Sequence, residues 1–328
     1  WGFGEQYNSI EFKGLEVPVW VSEQGVGRSP DPVLPFSGSL TDTYFPMPYF
    51  LDPASGKGLL LRNTEYAVFD LCQKDESSWT IEIWNGTGAE LTIFPGPDAG
   101  QVIRQLAAEV GKPALPPDWA FSGVWLAAQG GTEAIAQRLQ TALEAGIPVS
   151  ALWVQDWVGL REFSTGQFGV KYHWLWDQYL YPELAATIAD MKTKGVRFLG
   201  YFNPFVVPDL EHYDEMSNSG YLVRNSDGAD YVFPIVSFNG GLIDLSNPEA
   251  VDYFKSFAEK ALGLGMSGWM ADFGEWLPFD AVLHEGKAPS THNLYPTSWH
   301  RANLEVLEEV ENADDLVLLT RSGFTGEQ

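Results

Sequence analysis

Two hydrophobic periods divide the chain. Up to about residue 97, apolar and polar positions alternate in the period of a β-strand. Leu15-Glu16-Val17-Pro18-Val19-Trp20-Val21 predicts one strand, and Lys57–Leu71 predicts a further strand pair. Trp79–Trp84 and Glu90–Phe94 flank Asn85-Gly86-Thr87-Gly88, which predicts a β-hairpin. Asn85-Gly86-Thr87 also has the form of a glycosylation acceptor, and the turn is the preferred reading. Asp98–Val110 predicts a helix. Lys112-Pro113-Ala114-Leu115-Pro116-Pro117 is a stiff linker, because prolines cannot continue a helix. The expected domain boundary falls here, between 1–117 and 118–328.

Beyond residue 118, apolar runs recur with helical patterns between them. Candidate strands are Ala120–Ala127, Ser150–Gln155, Val196–Phe202, Gly241–Leu245, Gly268–Asp272 and Leu316–Thr320. A helix at Glu133–Glu144 places Ile135, Leu139 and Leu143 on one face. Another at Pro182–Lys194 does so with Leu184, Ile188 and Met191, and Gly195 stops it. Asn247-Pro248 opens a third, and His300–Glu311 is the last. Fully apolar strands alternating with helices mean a parallel sheet covered by helices, either a barrel or a doubly wound sheet. Tyr221–Phe238, with a turn at Asp227-Gly228, reads as an inserted hairpin.

Composition narrows the function classes. Apolar residues make up 45% of the 328 and charged residues 19%, a globular composition. No run approaches the length of a membrane span, and Trp1-Gly2-Phe3-Gly4 is not the start of a signal peptide, so a cytoplasmic location is expected. The single cysteine, Cys72, excludes an intrachain disulfide framework and a cysteine metal cluster. The net charge of −25 repels nucleic acid and anionic lipid, so an anionic substrate would need a local cationic pocket. Both ends look cut: residue 1 is not Met, and Thr325-Gly326-Glu327-Gln328 follows directly on an apolar run.

Gly263-Leu264-Gly265-Met266-Ser267-Gly268 has the glycine spacing of a dinucleotide fingerprint. It follows a helix and precedes a strand, the reverse of what phosphate binding at a helix N-terminus requires, so it is a helix stop. No Walker motif, HExxH or nucleophile elbow is present, and the five histidines lack ligand spacing; neither a metal nor an organic cofactor is expected. Polar residues at strand ends stand out instead. Gln155 and Asp156 end one apolar strand, Asp272 and Glu275 follow another, and Arg321 ends a third. In parallel α/β domains the C-terminal strand ends form the active-site face. Each carboxylate alone could be a helix cap or structural ion pair. Several of them together, flanked by Trp residues, suggest glycoside hydrolysis, in which one carboxylate attacks the anomeric carbon and another protonates the leaving oxygen.

At these residues the chain resembles glycoside hydrolase family 31 and, within it, the sulfoquinovosidases, which cleave α-sulfoquinovosides. The likeness rests on Gly4-Glu5-Gln6, Ser22–Arg28, Gln129-Gly130-Gly131-Thr132-Glu133, Gln155-Asp156-Trp157, Gly268–Pro278, His292–Pro296 and Arg321-Ser322-Gly323. It implies a (β/α)8 TIM barrel, incomplete at its C-terminal side, preceded by part of a β-sandwich. It implies that Asp272 is the nucleophile of a retaining mechanism, with Glu275 either tuning Asp272 or serving as a structural partner. Gln129, Gln155 and Asp156 would meet the sugar, Arg321 would line its pocket, and Lys171 and Trp174 would grip the sulfonate.

Two departures follow from the resemblance. Lys171 stands where the family often has Arg, and an ammonium lacks the planar fork that binds an anion bidentately. The family's acid/base Asp lies downstream of Gln328, so the chain is expected to be a fragment without that residue. The expected partner is a small glycoside carrying an anionic sulfonate, sulfoquinovosyl glycerol or its lipid form; Arg161 and Arg28 are weaker cations for it. A homo-oligomer is compatible with the sequence. The competing readings are a neutral-sugar α-glucosidase or α-xylosidase of the same family, and a non-catalytic sugar-binding relative.

Overall fold

A computed structural model of the chain describes residues 1–25, 39–84, 86–162, 166, 168–235 and 238–326. Arg28 and Asn85 lie outside the described residues. The chain divides into two compact units. One holds Trp1–Ala114, Phe273–Ser298 and Arg321–Gln328; the other holds Leu115–Asp272 and Trp299–Thr320.

The first unit contains two antiparallel sheets. One runs, in spatial order, through Gly2–Gly4, Pro46–Asp52, Lys57–Leu61 and Leu91–Pro95; the other through Glu16–Val19, Ala67–Leu71 and Trp79–Ile83. Alternation decides what each strand buries. Leu59 and Leu61 join Phe3, Val17, Val19, Ala67, Phe69 and Leu71 in one core cluster drawn from both sheets. Leu60, between them, faces the other way and packs with Tyr49, Leu51 and Phe94 against Val102 and Leu106 of the helix Ala99–Val110. Asp98 caps that helix by accepting from the Gln101 amide at 2.8 Å.

Both pairings expected in this region are corrected. Lys57–Leu61 and Ala67–Leu71 are strands but belong to different sheets, and Trp79–Ile83 and Leu91–Pro95 do not form a hairpin with each other. Between Lys57 and Pro95 the chain crosses between sheets twice, and these two crossings hold each other. The Arg62 amide donates to Glu90 O at 2.8 Å and the Trp84 amide to Tyr66 O at 3.0 Å. The Asn63 side chain bridges them, donating to Gly88 O and accepting from the Glu90 amide. The Asn-Gly signal is local, whereas the pairing follows the apolar faces that must reach a shared core.

The second unit is built on five parallel strands. Their order in space is Val124–Ala127, Val149–Trp153, Arg197–Phe202, Gly268–Ala271 and Val317–Thr320, the same as their order in the chain. A doubly wound sheet reverses order at a switch point, so sequential winding decides for the barrel. The helices Thr132–Glu144, Leu184–Thr193 and Pro248–Gly263 separate the strands. Ile135, Leu139, Leu184, Ile188, Phe254 and Ala258 enter one large core cluster with strand residues such as Leu152 and Phe198. Gly268 opens its strand at φ +126°, and a Cβ there would lie 1.8 Å from Val317 O, so only glycine lets the two strands meet.

Two further elements differ from expectation. Gly241–Leu245 is not a strand of the parallel sheet. The strand is Phe238–Leu242, and it pairs antiparallel with Phe205–Val206 and Phe233–Ile235 in a separate small sheet. A short buried run looks the same in either setting, because periodicity does not record strand direction. The hairpin seen at Tyr221–Phe238 is part of this excursion, with Arg224 bridged to Asp230 around the Asp227-Gly228 turn. The last helix begins at Tyr295 rather than His300, with Pro296 in the first turn, where its missing N–H is harmless. Among the described residues no helix is long and apolar enough to cross a membrane.

Candidate active site

Four segments of the parallel-sheet unit end in the polar residues singled out above or beside them. Gln129 follows Val124–Ala127, Gln155-Asp156 follows Val149–Trp153, Asn203 follows Arg197–Phe202, and Asp272 follows Gly268–Ala271. Gln129 Nε2 donates to Gln155 Oε1 at 3.0 Å, so two adjacent strand ends present a linked pair of amides.

Asp156 is fully buried, and both its oxygens are engaged by protein. Oδ2 accepts from the Gly130 amide at 2.8 Å, and Oδ1 accepts from the Tyr181 hydroxyl. The carboxylate therefore ties the loop carrying Gln129 to the turn carrying Gln155. Burial and the neighbouring Asp156 charge push the Tyr181 hydroxyl well above its ordinary range, so it stays a donor.

Asp272 is built in by register. Tyr201 pairs with Met270 and Phe202 with Ala271, and the Asp272 amide continues the ladder by donating to Phe202 O at 2.8 Å. Side chains alternate along a strand, so Met270, Asp272 and Tyr201 share a face. The Tyr201 hydroxyl donates to Asp272 Oδ2 at 2.6 Å. Burial, then the Asp272 charge, raise the Tyr201 hydroxyl well above its ordinary range. Behind it, Tyr201 O accepts from the Trp157 indole at 3.0 Å, and Asn203 O accepts from the Trp174 indole at 2.8 Å. Trp174 is buried at a left-handed φ of 60° and packs on Phe254 and Phe257.

Lys171 is half-buried and donates to Asp177 Oδ2 at 3.0 Å. The other Asp177 oxygen accepts from the Tyr179 and Leu180 amides. The amide donors and Lys171 outweigh a larger opposing effect of burial and hold the Asp177 carboxyl below its ordinary range. Gly159, at φ +92°, lets this pair close, since a Cβ there would lie 2.1 Å from Asp177 Oδ2. Arg161 pairs with Asp209 at 3.4 Å and lies over the Phe238 ring.

Glu275 and Arg321 belong to the first unit and meet there. Arg321 Nη2 contacts Glu275 Oε1, and lies 3.4 Å from Glu23 Oε1. Glu23 Oε2 accepts from the Tyr44 hydroxyl at 2.8 Å. The guanidinium lies 4.2 Å from the Phe273 ring centroid and 4.7 Å from that of Tyr44. Among the described residues no group of three or more His, Cys, Asp or Glu side chains could hold a metal ion.

Sequence reasoning missed Tyr201, Asn203, Asp177 and Tyr44. Asn203-Pro204 does end an apolar strand and carried the same signal as Asp272. Tyr201 sits inside the apolar run and looks like core, and the Asp177 and Tyr44 partnerships have no periodic signature.

A sequentially wound parallel sheet with polar strand ends is the architecture of a TIM-barrel domain with its site at the C-terminal ends of the strands. Residues 113–328 match the glycosyl hydrolases family 31 TIM-barrel domain, and the chain belongs to this family. It is similar to the sulfoquinovosidase of Escherichia coli (strain K12), 35% identical over 338 residues, covering all of this chain and 49% of the relative. It is also similar to the sulfoquinovosidase of Agrobacterium fabrum, 34% identical over 341 residues, covering all of this chain and 50% of the relative. Among solved structures it is similar to a family 31 sulfoquinovosidase from E. rectale in complex with the aza-sugar inhibitor IFGSQ. That match has a TM-score of 0.91 and 33% identity, covering all of this chain and 50% of the other. The chain spans about half the length of the curated relatives it matches.

Proposed function

We propose that the protein carrying this chain is a retaining α-glycosidase that hydrolyses α-sulfoquinovosides, with Asp272 as its nucleophile. The observation that carries the reading is the placement of Asp272. It is a buried carboxylate at the C-terminal end of a barrel strand, fixed by a hydroxyl from the neighbouring strand, in a chain whose full length matches sulfoquinovosidases. In this mechanism the carboxylate attacks the anomeric carbon, the glycosidic bond breaks, and the leaving oxygen takes a proton from a second carboxyl group. Water then cleaves the glycosyl ester. Gln129 and Gln155 offer amides to sugar hydroxyls. Asp156 supports them from behind. The two antiparallel sheets of the first unit are part of a β-sandwich.

Lys171 is the cation for the sulfonate. Its ammonium carries three donors, and Asp177 takes one of them. Trp174 acts through Asn203, since its indole N–H is given to that residue's carbonyl. One observation favours a neutral-sugar glycosidase instead: the Lys171 charge is already balanced by Asp177.

The test is turnover of 4-nitrophenyl α-sulfoquinovoside beside 4-nitrophenyl α-glucoside by the whole gene product and its Asp272→Asn variant. Preference for the sulfonated substrate, abolished in the variant, supports both chemistry and substrate. Equal or better turnover of the glucoside keeps the nucleophile and removes the sulfonate. A folded protein inactive on both removes the enzyme.

A further inference from the structure

We propose that Tyr201 is a positioning residue that sets the lifetime of the covalent glycosyl-enzyme; this rests on the reading of Asp272 as nucleophile. Three features hold Tyr201 against Asp272. The Tyr201 hydroxyl lies 2.6 Å from Asp272 Oδ2. It is fully buried, with its own backbone carbonyl held by the Trp157 indole at 3.0 Å. Its strand is in register with the one that ends in Asp272. The side chain therefore has little freedom to leave the carboxylate. Burial beside that carboxylate keeps the hydroxyl protonated, so it is always the donor.

A hydroxyl donating to an ionised carboxylate makes a short, charge-assisted hydrogen bond, about twice as strong as one to a neutral acceptor. Asp272 changes charge during the reaction. When its carboxylate forms the bond to the anomeric carbon and the glycosidic bond breaks, the charge is lost into an ester, and the leaving oxygen takes the acid/base carboxyl's proton. When water attacks the anomeric carbon, the ester bond breaks and its electron pair returns to Asp272. The water's proton goes back to the acid/base carboxylate. The Tyr201 bond is thus stronger before the first step and after the second than in the ester between them. It makes Asp272 a slightly poorer nucleophile and a better leaving group, and it shortens the life of the intermediate.

The experiment uses the whole gene product and Tyr201→Phe, which keeps the ring and removes only the hydroxyl. An aryl glycoside that the wild type turns over is followed by stopped flow, and quenched enzyme is weighed as the intact protein. In the variant, kcat is expected to fall about tenfold as one charge-assisted bond is lost from the second step. KM is expected to fall with it, kcat/KM to stay within about threefold, and a burst of aryl product to accompany a glycosyl adduct on Asp272. Reactivation of enzyme trapped with a fluoro-sugar is expected to slow by a similar factor. A structural role alone would lower kcat/KM with no burst, and that result overturns the inference, as does a variant indistinguishable from wild type. Wild-type enzyme that acquires no label on Asp272 from the fluoro-sugar overturns the nucleophile itself, and this inference with it.

Discussion

Arg321 Nη2 lies against Oε1 of Glu275, whose side chain has no exposed surface. The same guanidinium reaches Glu23, itself buried, so one cation serves two carboxylates. Removing the cation takes the shared counter-charge from two buried carboxylates, a change that costs several kcal/mol. Arg321→Met should therefore destabilise the protein by roughly 3–5 kcal/mol. Glu275→Gln keeps the shape and leaves Glu23 to pair with Arg321, so it should cost clearly less. Urea unfolding of both variants checks the order; a larger loss in Glu275→Gln would overturn the account.

Asp156 is predicted to matter through the loops it joins. In Asp156→Asn one oxygen becomes an NH2 group facing the Gly130 amide or the Tyr181 hydroxyl, both donors in this structure. The Tyr181 hydroxyl can turn to accept from that NH2, so charge-assisted bonds are exchanged for neutral ones at a cost of about 1 kcal/mol. The loosened Gly130 loop carries Gln129, so KM should rise by more than kcat falls. Steady-state kinetics beside a thermal melt separate the two effects. An unchanged melting temperature would show that the loop is held by something else.

The parallel sheet was legible because its strands are nearly continuous apolar runs of strand length, each separated from the next by an amphipathic helix or a longer excursion, whereas the same runs fit a barrel and a doubly wound sheet equally. Leu152, Phe198 and Trp269 announce themselves. What failed was pairing. Ala67–Leu71 and Lys57–Leu61 each read as strands, yet which sheet takes each depends on the shared core around Phe3 and Phe69. Strand direction was also hidden, which is why Gly241–Leu245 was expected in the parallel sheet, whereas Phe238–Leu242 pairs antiparallel in a small one. At the site, Asp272 and Gln155 stood out as polar residues closing apolar runs. Tyr201 did not, because an aromatic residue inside a strand is normal core. The contact of Arg321 with Glu23 joins opposite ends of the chain, and no local pattern encodes it.

Lys171 should separate the substrates. Losing a hydrogen bond to a charged group costs about 1.5–3 kcal/mol, or roughly 10- to 150-fold in affinity. Lys171→Met should raise KM for 4-nitrophenyl α-sulfoquinovoside by that factor and change KM for the α-glucoside little. Asp177→Asn leaves the ammonium unbalanced and should strengthen sulfonate binding. Equal losses on both substrates in Lys171→Met would assign the residue to scaffold packing.

His292 gives the first unit a pH dependence whose sign can be worked out. Its ring is stacked 3.6 Å from Trp20 at 6° and fully buried. The ring nitrogens face Leu277 O at 2.6 Å and Val21 O at 2.8 Å. Burial pushes the imidazole down to about 4, and the two carbonyls pull weakly the other way. In the unfolded chain the same ring titrates near 6.5. Between these values the unfolded state binds more protons than the folded one, so stability rises with pH across the window. The contribution is fully present above about pH 6.5 and should fall by about 2–3 kcal/mol on going down to pH 4.5. Carboxylates titrate nearby, so the informative quantity is the difference between wild type and His292→Gln. Urea unfolding at pH 7.5 and 4.5 should show wild type losing more stability than the variant. If wild type loses less, the carbonyls and the stacked indole hold a proton on the buried ring, and the sign is reversed.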